Sequence, residues 1–195
     1  MKLDHYLKLL KKKDIDTYYH SIRVAQYCYI MGKELQYTND QLSFLVVSAL
    51  LHDIGKLYIP NSILKKVGKL TSKEYEEIKK HILHVKKILV NYDSKLLNVI
   101  MSHHERLDGS GYPYQISGYT IPYYAQILAI ADSFDAMTSN RCYNVVKSTE
   151  EALNELWNCS TQDKNLYNAY LVSVLNQALY KNNIQYQQKI KHYSA

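Results

Sequence analysis

Sharp turns in this 195-residue chain are confined almost entirely to one stretch, and that confinement constrains the fold more than any other feature. There are only three prolines and six glycines, and Gly109, Gly111, Pro113, Gly118 and Pro122 all fall between residues 109 and 122. Residues 105–121 therefore read as one long Gly/Pro loop. Loops longer than about 12–15 residues inside a compact domain are usually functional or disordered. Elsewhere apolar residues recur at helical spacing, no alternating strand pattern persists, and no repeat of about 20–50 residues is visible. The fold class that follows is all-α: a single globular helical bundle of seven to nine helices.

Caps mark the expected helix boundaries. Asp16 or Thr17 can cap the amphipathic stretch carrying Ile22, Val24, Ala25, Cys28, Met31 and Leu35, with Gly32 near its end. Thr38 or Asn39 caps the next, through Gln41 to Asp53. Thr71 and Ser72, followed by acidic residues, open a helix predicted to reach Val90, with His81 at its middle on the stripe of Ile78, Val85 and Ile88. Asp93 and Ser94 open another, to about His104. Pro122 suits a helix start, here Tyr123 to Ser139. Stretches 149–157 and 164–181 complete the set, and the polar residues after Lys181 read as a frayed or loosely helical tail.

Composition excludes several classes. Hydrophobic residues make up 47% and charged residues 22%, the balance of a globular domain and not of a disordered or collagenous chain. The longest nearly uncharged apolar run, Leu42 to Leu51, is far short of the roughly 18 residues that a membrane span needs. The N-terminus interleaves Leu7, Leu9 and Leu10 with lysines, so it lacks the continuous apolar core of a secretory signal. Cys28, Cys142 and Cys159 are odd in number and far apart, which suits free thiols in a reducing, cytoplasmic setting. The net charge of +6, with Lys11–Lys13 as its single three-lysine run, does not point to a nucleic-acid polymer. It remains compatible with a phosphate-bearing small molecule or an anionic membrane surface.

Histidine placement carries the chemical information. His52-Asp53 follows the apolar run Leu42–Leu51, and His103-His104 follows Leu96, Leu97, Val99, Ile100 and Met101. Asp132 lies within the apolar segment after Ile127-Leu128-Ala129-Ile130-Ala131, where an unpaired carboxylate would cost several kcal/mol. His20 opens the amphipathic helix. A lone histidine on an apolar face is usually a packing residue; five histidines and two aspartates at helix ends and in apolar interiors form a ligand set. Imidazole nitrogens and carboxylate oxygens suit Fe, Mn, Zn, Co or Ni better than Ca. His5, His84 and His192 match no such role.

Two strings extend these residues. His52 to Lys56 reads HDIGK, and His103 to Pro113 reads HHERLDGSGYP. Together they resemble the HD-GYP branch of the HD-domain metal-dependent phosphohydrolases. His20 in HSIRVA, Ile59-Pro60, His81, and Asp132 to Tyr143 (DSFDAMTSNRCY) extend the resemblance over about Asp16 to Tyr143. The resemblance implies an HD-type bundle with a catalytic domain over 16–181, a basic N-terminal helix or arm over 1–15 and a polar tail over 182–195. It implies hydrolysis of a cyclic dinucleotide, chiefly cyclic di-GMP, to linear pGpG and on to GMP. The implied cofactors are two divalent ions, Fe or Mn. His20, His52, Asp53 and Asp132 would hold one, and Asp53 would bridge to a second held by His81, His103 and His104. A third metal would call on Asp16, where the family carries a glutamate. Such a pair, about 3.5–4 Å apart, supplies a hydroxide at neutral pH and neutralises a phosphodiester.

The resemblance also assigns Lys56 to a phosphate oxygen or to the leaving oxygen, with Asp53 as the other catalytic residue; a solvated lysine at a helix end is the alternative. Arg141 would clamp a phosphate with its planar fork, or form a surface salt bridge. Gly111 would allow backbone close to the ligand, while Tyr112 and Pro113 either face a guanine or make a structural turn. Glu105 and Asp108 either orient the histidine rings or cap the loop. The chain departs from the family at Val85 and Gln115, where glycines are usual, and at Cys142 and Asn144; Asn144 removes one phosphate contact that Lys147 can replace. Those departures leave the ligand set whole and bear on substrate preference. With no room for a sensory domain, the expectation is a minimal, free-standing enzyme, open to homodimerisation or to a signalling partner. Alternative readings are an HD phosphohydrolase for another cyclic dinucleotide or nucleotide, and a catalytically weak receptor or adaptor.

Overall fold

The computed structural model describes residues 2–139, 146–161 and 165–193, with side chains from residue 3 to 183. Its elements are α1 (Lys2–Lys13), α2 (Ile15–Glu34), α3 (Asn39–Leu51), a 3-10 turn (Ile54–Tyr58), α4 (Asn61–Leu64), α5 (Ser72–Lys79), α6 (His81–Ile88), α7 (Ser94–Met101), a second 3-10 turn (Gly118–Thr120), α8 (Tyr123–Thr138), α9 (Thr149–Thr161) and α10 (Ala169–Tyr193). Among the described residues there are thus nine helices of eight residues or more, one single-turn helix and no strand, as the periodicity predicts. None of these helices is long and apolar enough to cross a membrane.

The caps fall close to their predicted places, with one shift. Thr38 with Gln41 and Thr71 with Glu74 form reciprocal capping boxes, and Asp93 caps α7 through the Lys95 N–H. The α2 cap is Asp14, not Asp16 or Thr17: its extended backbone ends α1, and its carboxylate accepts from the Thr17 N–H at 3.2 Å. Asp16 is left exposed in the first turn, where its charge favours the helix dipole. Past Lys181, the polar tail continues as α10.

The helix expected over residues 71–90 is broken at Lys80, so His81 starts α6 instead of sitting in mid-helix. No breaker residue marks the site. The 3-10 turn approaches so closely that a Cβ on Gly55 would lie 1.8 Å from the His81 carbonyl oxygen. The His81 Nδ1 sits 2.7 Å from the Ile78 carbonyl, the oxygen that would accept from residue 82 in an unbroken helix.

Two apolar clusters hold the bundle. One joins α2, α3, α8, α9 and α10 through Val24, Leu45, Leu128, Phe134, Leu156 and Leu171. The other joins α1, α6, α7, the end of α3 and the first 3-10 turn through Leu10, Leu51, Ile54, Ile82, Leu89 and Ile100. Full burial of Leu10, about 2 kcal/mol for such a side chain, and the hydrogen bond from the Tyr6 hydroxyl to the Ile88 carbonyl secure α1. Helices α3 and α7 contribute to both clusters, and the residues after their last turns emerge between them.

Candidate metal centre

Three of the histidines are set by one local device. At the ends of α3 and α7, and at the α5–α6 break, His52, His103 and His81 bring Nδ1 to the carbonyl three residues back: Ala49 at 2.7 Å, Ile100 at 2.6 Å and Ile78 at 2.7 Å. A carbonyl oxygen only accepts, so each Nδ1 carries the proton. Each ring then satisfies a carbonyl that its helix end leaves open and directs the lone pair of Nε2 into the space between the two clusters. His20, on α2, is oriented by a carboxylate instead. Its Nδ1 lies 2.7 Å from Asp135 Oδ2, and Asp135 is also gripped by Arg23, with Nε–Oδ1 at 2.6 Å.

These nitrogens converge with two carboxylates. His20 Nε2 stands 3.0 Å from Asp132 Oδ1 and 3.2 Å from His52 Nε2. Asp53 turns Oδ2 toward His52 (3.3 Å) and His20 (3.6 Å), and Oδ1 toward His81 Nε2 (3.5 Å). His104 reaches Asp132 Oδ2 at 3.9 Å. Among the described residues, three groups bring their ligand atoms within 4.8 Å of one another: His20, His52 and Asp132; His81, His103 and His104; and His52, Asp53 and His103. The first two are the two ligand sets implied by the motifs, and Asp53 faces both. Asp16 belongs to none of them.

Such donors fit a cation. His20 and His52 bring their Nε2 atoms within 3.2 Å of each other and close to Asp132 Oδ1 and Asp53 Oδ2, a cluster of potential donor atoms from four side chains. The Nε2 atoms of His81 and His103 are buried with no hydrogen-bond partner, which is costly for a polar atom with no other function. Burial and the neighbouring imidazoles hold His103 down to about 3; burial lowers His81 to about 4, beyond what the Asp53 charge restores. Both rings are thus neutral, the form that binds metal. Burial works against the charge on Asp53 and Asp132, yet Lys56 and His52 for the first, and His20 for the second, hold both well below the usual carboxylate range.

The other expected residues that the structure describes lie around these groups. Lys56 Nζ lies 2.7 Å from Asp53 Oδ2, so it is not a free helix-end lysine. Tyr112 stacks on His104, with ring centroids 4.7 Å apart and 29° between planes, and Pro113 follows it. Gly111 is buried against protein backbone: a Cβ there would meet Glu105 Cα at 2.4 Å and the His104 carbonyl at 2.5 Å. Its observed contribution is the close packing of the loop on the tandem histidines. Arg141, Cys142, Tyr143 and Asn144 lie outside the described residues. The alternatives for Glu105 and Asp108 resolve to loop capping, since Glu105 accepts from the Tyr114 N–H at 2.7 Å and Asp108 from the Ser110 N–H at 2.9 Å. The carboxylate that orients a histidine is Asp135, which the sequence reading did not single out. Its signal was present: a second acid three residues after Asp132 in the same apolar helix.

Comparison with known proteins agrees with this geometry. A family profile for the HD domain matches residues 5–166. The chain is 39% identical over 152 residues to a cyclic di-GMP phosphodiesterase of Thermotoga maritima, covering 76% of this chain and 41% of that protein. It is 41% identical over 140 residues to 3′3′-cGAMP-specific phosphodiesterase 1 of Vibrio cholerae, covering 71% and 32%. It therefore spans about a third to two-fifths of the length of these curated relatives. The HD domain of the L. monocytogenes phosphodiesterase PgpH shares the fold, with a TM-score of 0.66 at 16% identity over 92% of this chain and 98% of that one. With most of its length matched by the profile and by these relatives, the chain belongs to the HD-domain family, in its HD-GYP branch.

Proposed function

We propose that this chain is a metal-dependent phosphodiesterase unit that opens cyclic di-GMP to linear pGpG, with GMP as the product of a second cleavage. The observation that carries the reading is the convergence of five imidazoles, His81 and His103 among them buried and neutral, with two ionised carboxylates, Asp53 being turned toward both ligand groups. We assign two divalent ions, iron or manganese, to His20, His52, Asp53 and Asp132 on one side and Asp53, His81, His103 and His104 on the other. Bound there, the ions supply Lewis acidity that makes water nucleophilic at neutral pH and offsets phosphodiester charge.

The chain's own residues do the rest. Backbone carbonyls and Asp135 orient the imidazoles of His20, His52, His81 and His103, so these rings need no reorganisation when substrate enters. Asp132 and His104, 13% and 18% exposed at the side chain, form the open edge of the centre, while His52, His81, His103 and Asp53 exclude water behind it. Lys56 carries its charge beside Asp53 and can donate a proton or a hydrogen bond to a phosphodiester oxygen. Tyr112 and Pro113 wall the open edge, and Arg141 is assigned to a substrate phosphate. The free thiols Cys28 and Cys159 suit a reducing cytoplasm.

A second reading, hydrolysis of the mixed dinucleotide 3′3′-cGAMP, is favoured by the specificity of the Vibrio cholerae relative. The test is anaerobic purification, metal analysis and chromatographic assay with cyclic di-GMP and 3′3′-cGAMP, with Asp53→Ala alongside. About two metals per chain and loss of turnover in the variant are expected. Equal turnover by wild type and variant defeats the assignment.

A further inference from the structure

Beside the open edge of the centre, α5 brings two side chains against the loop that carries Tyr112. Lys79 Nζ lies over the Tyr112 ring at 5.3 Å and over the Tyr75 ring at 4.8 Å. Tyr112 in turn stacks on His104. An unbroken path of ring, ammonium and ring thus leads from the metal ligands to the surface, where Tyr75 is 49% exposed. Lys79 pairs with Glu76 at 2.7 Å, whose side chain is 65% exposed. An exposed pair of this kind holds a lysine weakly, so its ammonium can be redirected to a ligand. Tyr75 lies outside the motifs that supply the centre, and Lys79 stands two residues before His81 without being one of its ligand residues.

A half-exposed aromatic ring suits a purine once the ammonium that lies over its face swings aside to the edge of the incoming base. Any base can stack on the Tyr75 face. The ammonium adds selectivity, because guanine presents two acceptors, O6 and N7, along the edge where adenine presents one acceptor and an amino donor. Lys79 has donors only, so it matches guanine and opposes the adenine amino group. Resting on the phosphodiesterase reading, we propose that Tyr75 and Lys79 form a guanine-binding platform for one base of the cyclic dinucleotide, and that Lys79 sets the preference for guanine over adenine there.

The test uses the metal-loaded chain with Lys79→Ala, Tyr75→Ala and, as a control, Lys73→Ala on the exposed face of α5. Steady-state kinetics are measured with cyclic di-GMP and cyclic di-AMP, and binding of GMP and AMP is measured by calorimetry. Lys79→Ala is expected to raise KM for cyclic di-GMP about tenfold and cut the GMP-over-AMP preference by a similar factor. Its kcat should stay within about twofold and its metal content and Tm unchanged. Tyr75→Ala should weaken both nucleotides about equally, and Lys73→Ala neither. If wild type turns over cyclic di-GMP while KM and base preference ignore Lys79 and Tyr75, the platform is wrong and the phosphodiesterase reading stands. If wild type turns over no cyclic dinucleotide yet binds GMP over AMP in a Lys79-dependent way, the platform stands and that reading falls. Binding of neither nucleotide overturns the platform.

Discussion

Adding one methyl group at Gly55 should disable the second ligand group without touching any ligand. The 3-10 turn Ile54–Tyr58 crosses the start of α6 so closely that an alanine Cβ would stand 1.8 Å from the His81 carbonyl oxygen and 2.7 Å from its carbon. Contacts below 3.0 Å are essentially never seen for a real Cβ, so the two backbones must part by about 1.2 Å. Neither side yields easily, because Ile54 and Ile82 flank the contact and are fully buried. Overpacking of this kind costs about 1–3 kcal/mol, or a Tm loss of roughly 2–12 °C in a chain of this size. The functional effect should be larger than that loss implies. Moving the His81 backbone carries its Nε2 away from Asp53 Oδ1, now 3.5 Å away, and a displacement of about 1 Å in such a constellation can cost about a hundredfold in rate. The assay is a thermal melt, metal analysis and kcat of Gly55→Ala, beside Gly118→Ala as a backbone control. Gly118, unlike Gly55, has positive φ, and open space surrounds its added Cβ, so its variant should lose about 1 kcal/mol from backbone strain alone and keep its metal. A folded Gly55→Ala protein with full metal content and wild-type kcat would refute the reasoning.

Two other outcomes follow from groups outside the ligand sets. Asp135→Asn removes the charge that accepts from His20 Nδ1 and pairs with Arg23; affinity for the metal bound through His20 should fall about 10–100-fold, read by metal titration, and unchanged affinity would show that the carboxylate does not orient the ring. Glu74 is held down to about 2 from an ordinary 4.5, first by Lys66 and then by the Thr71 N–H and hydroxyl. Its folded value lies below its unfolded one, so its contribution is present above about pH 4.5 and is lost as pH falls through about 2. Glu74→Gln should therefore flatten the acid limb of a Tm-against-pH curve in that window, and identical limbs would exclude the contribution.

What the sequence made legible, and what it hid, divides along local against distant contacts. The ends of α3 and α7 and their histidines were readable because an apolar run stops at a polar residue within a few positions, and the same is true of Asp132 inside an apolar helix. The capping boxes at Thr38 and Thr71 were readable for the same reason. The break at Lys80 was not: the stripe of Ile78, Val85 and Ile88 runs across it without interruption, and the backbone packed against it is that of Gly55, 25 residues earlier than Lys80. Asp135 was hidden because its partner His20 is 115 residues away. Gly111 suggested an approach to a ligand, but the backbone it approaches is that of its own chain at His104–Arg106.

The repeated use of the carbonyl three residues back explains why positions 52, 81 and 103 hold histidine and not the carboxylates that serve at 53 and 132. Each position must close a helix-end carbonyl and also present a lone pair inward. A carboxylate would set acceptor against acceptor at Ala49, Ile78 or Ile100, and a lysine would offer donors in both directions. Neutral imidazole has one donor and one acceptor on opposite sides of a rigid ring. The hydrogen bond that ends the helix therefore also selects the tautomer that binds a cation, and the ligand is aimed by secondary structure, the stiffest support the chain has. His20 lies within α2, where the carbonyls of the helix are already engaged, so the same demand on its Nδ1 is met from another helix. Asp135 meets it on α8, one turn from Asp132. One short helical segment thus supplies both a proposed ligand and the group that aims another, which couples the position of α2 to that of α8.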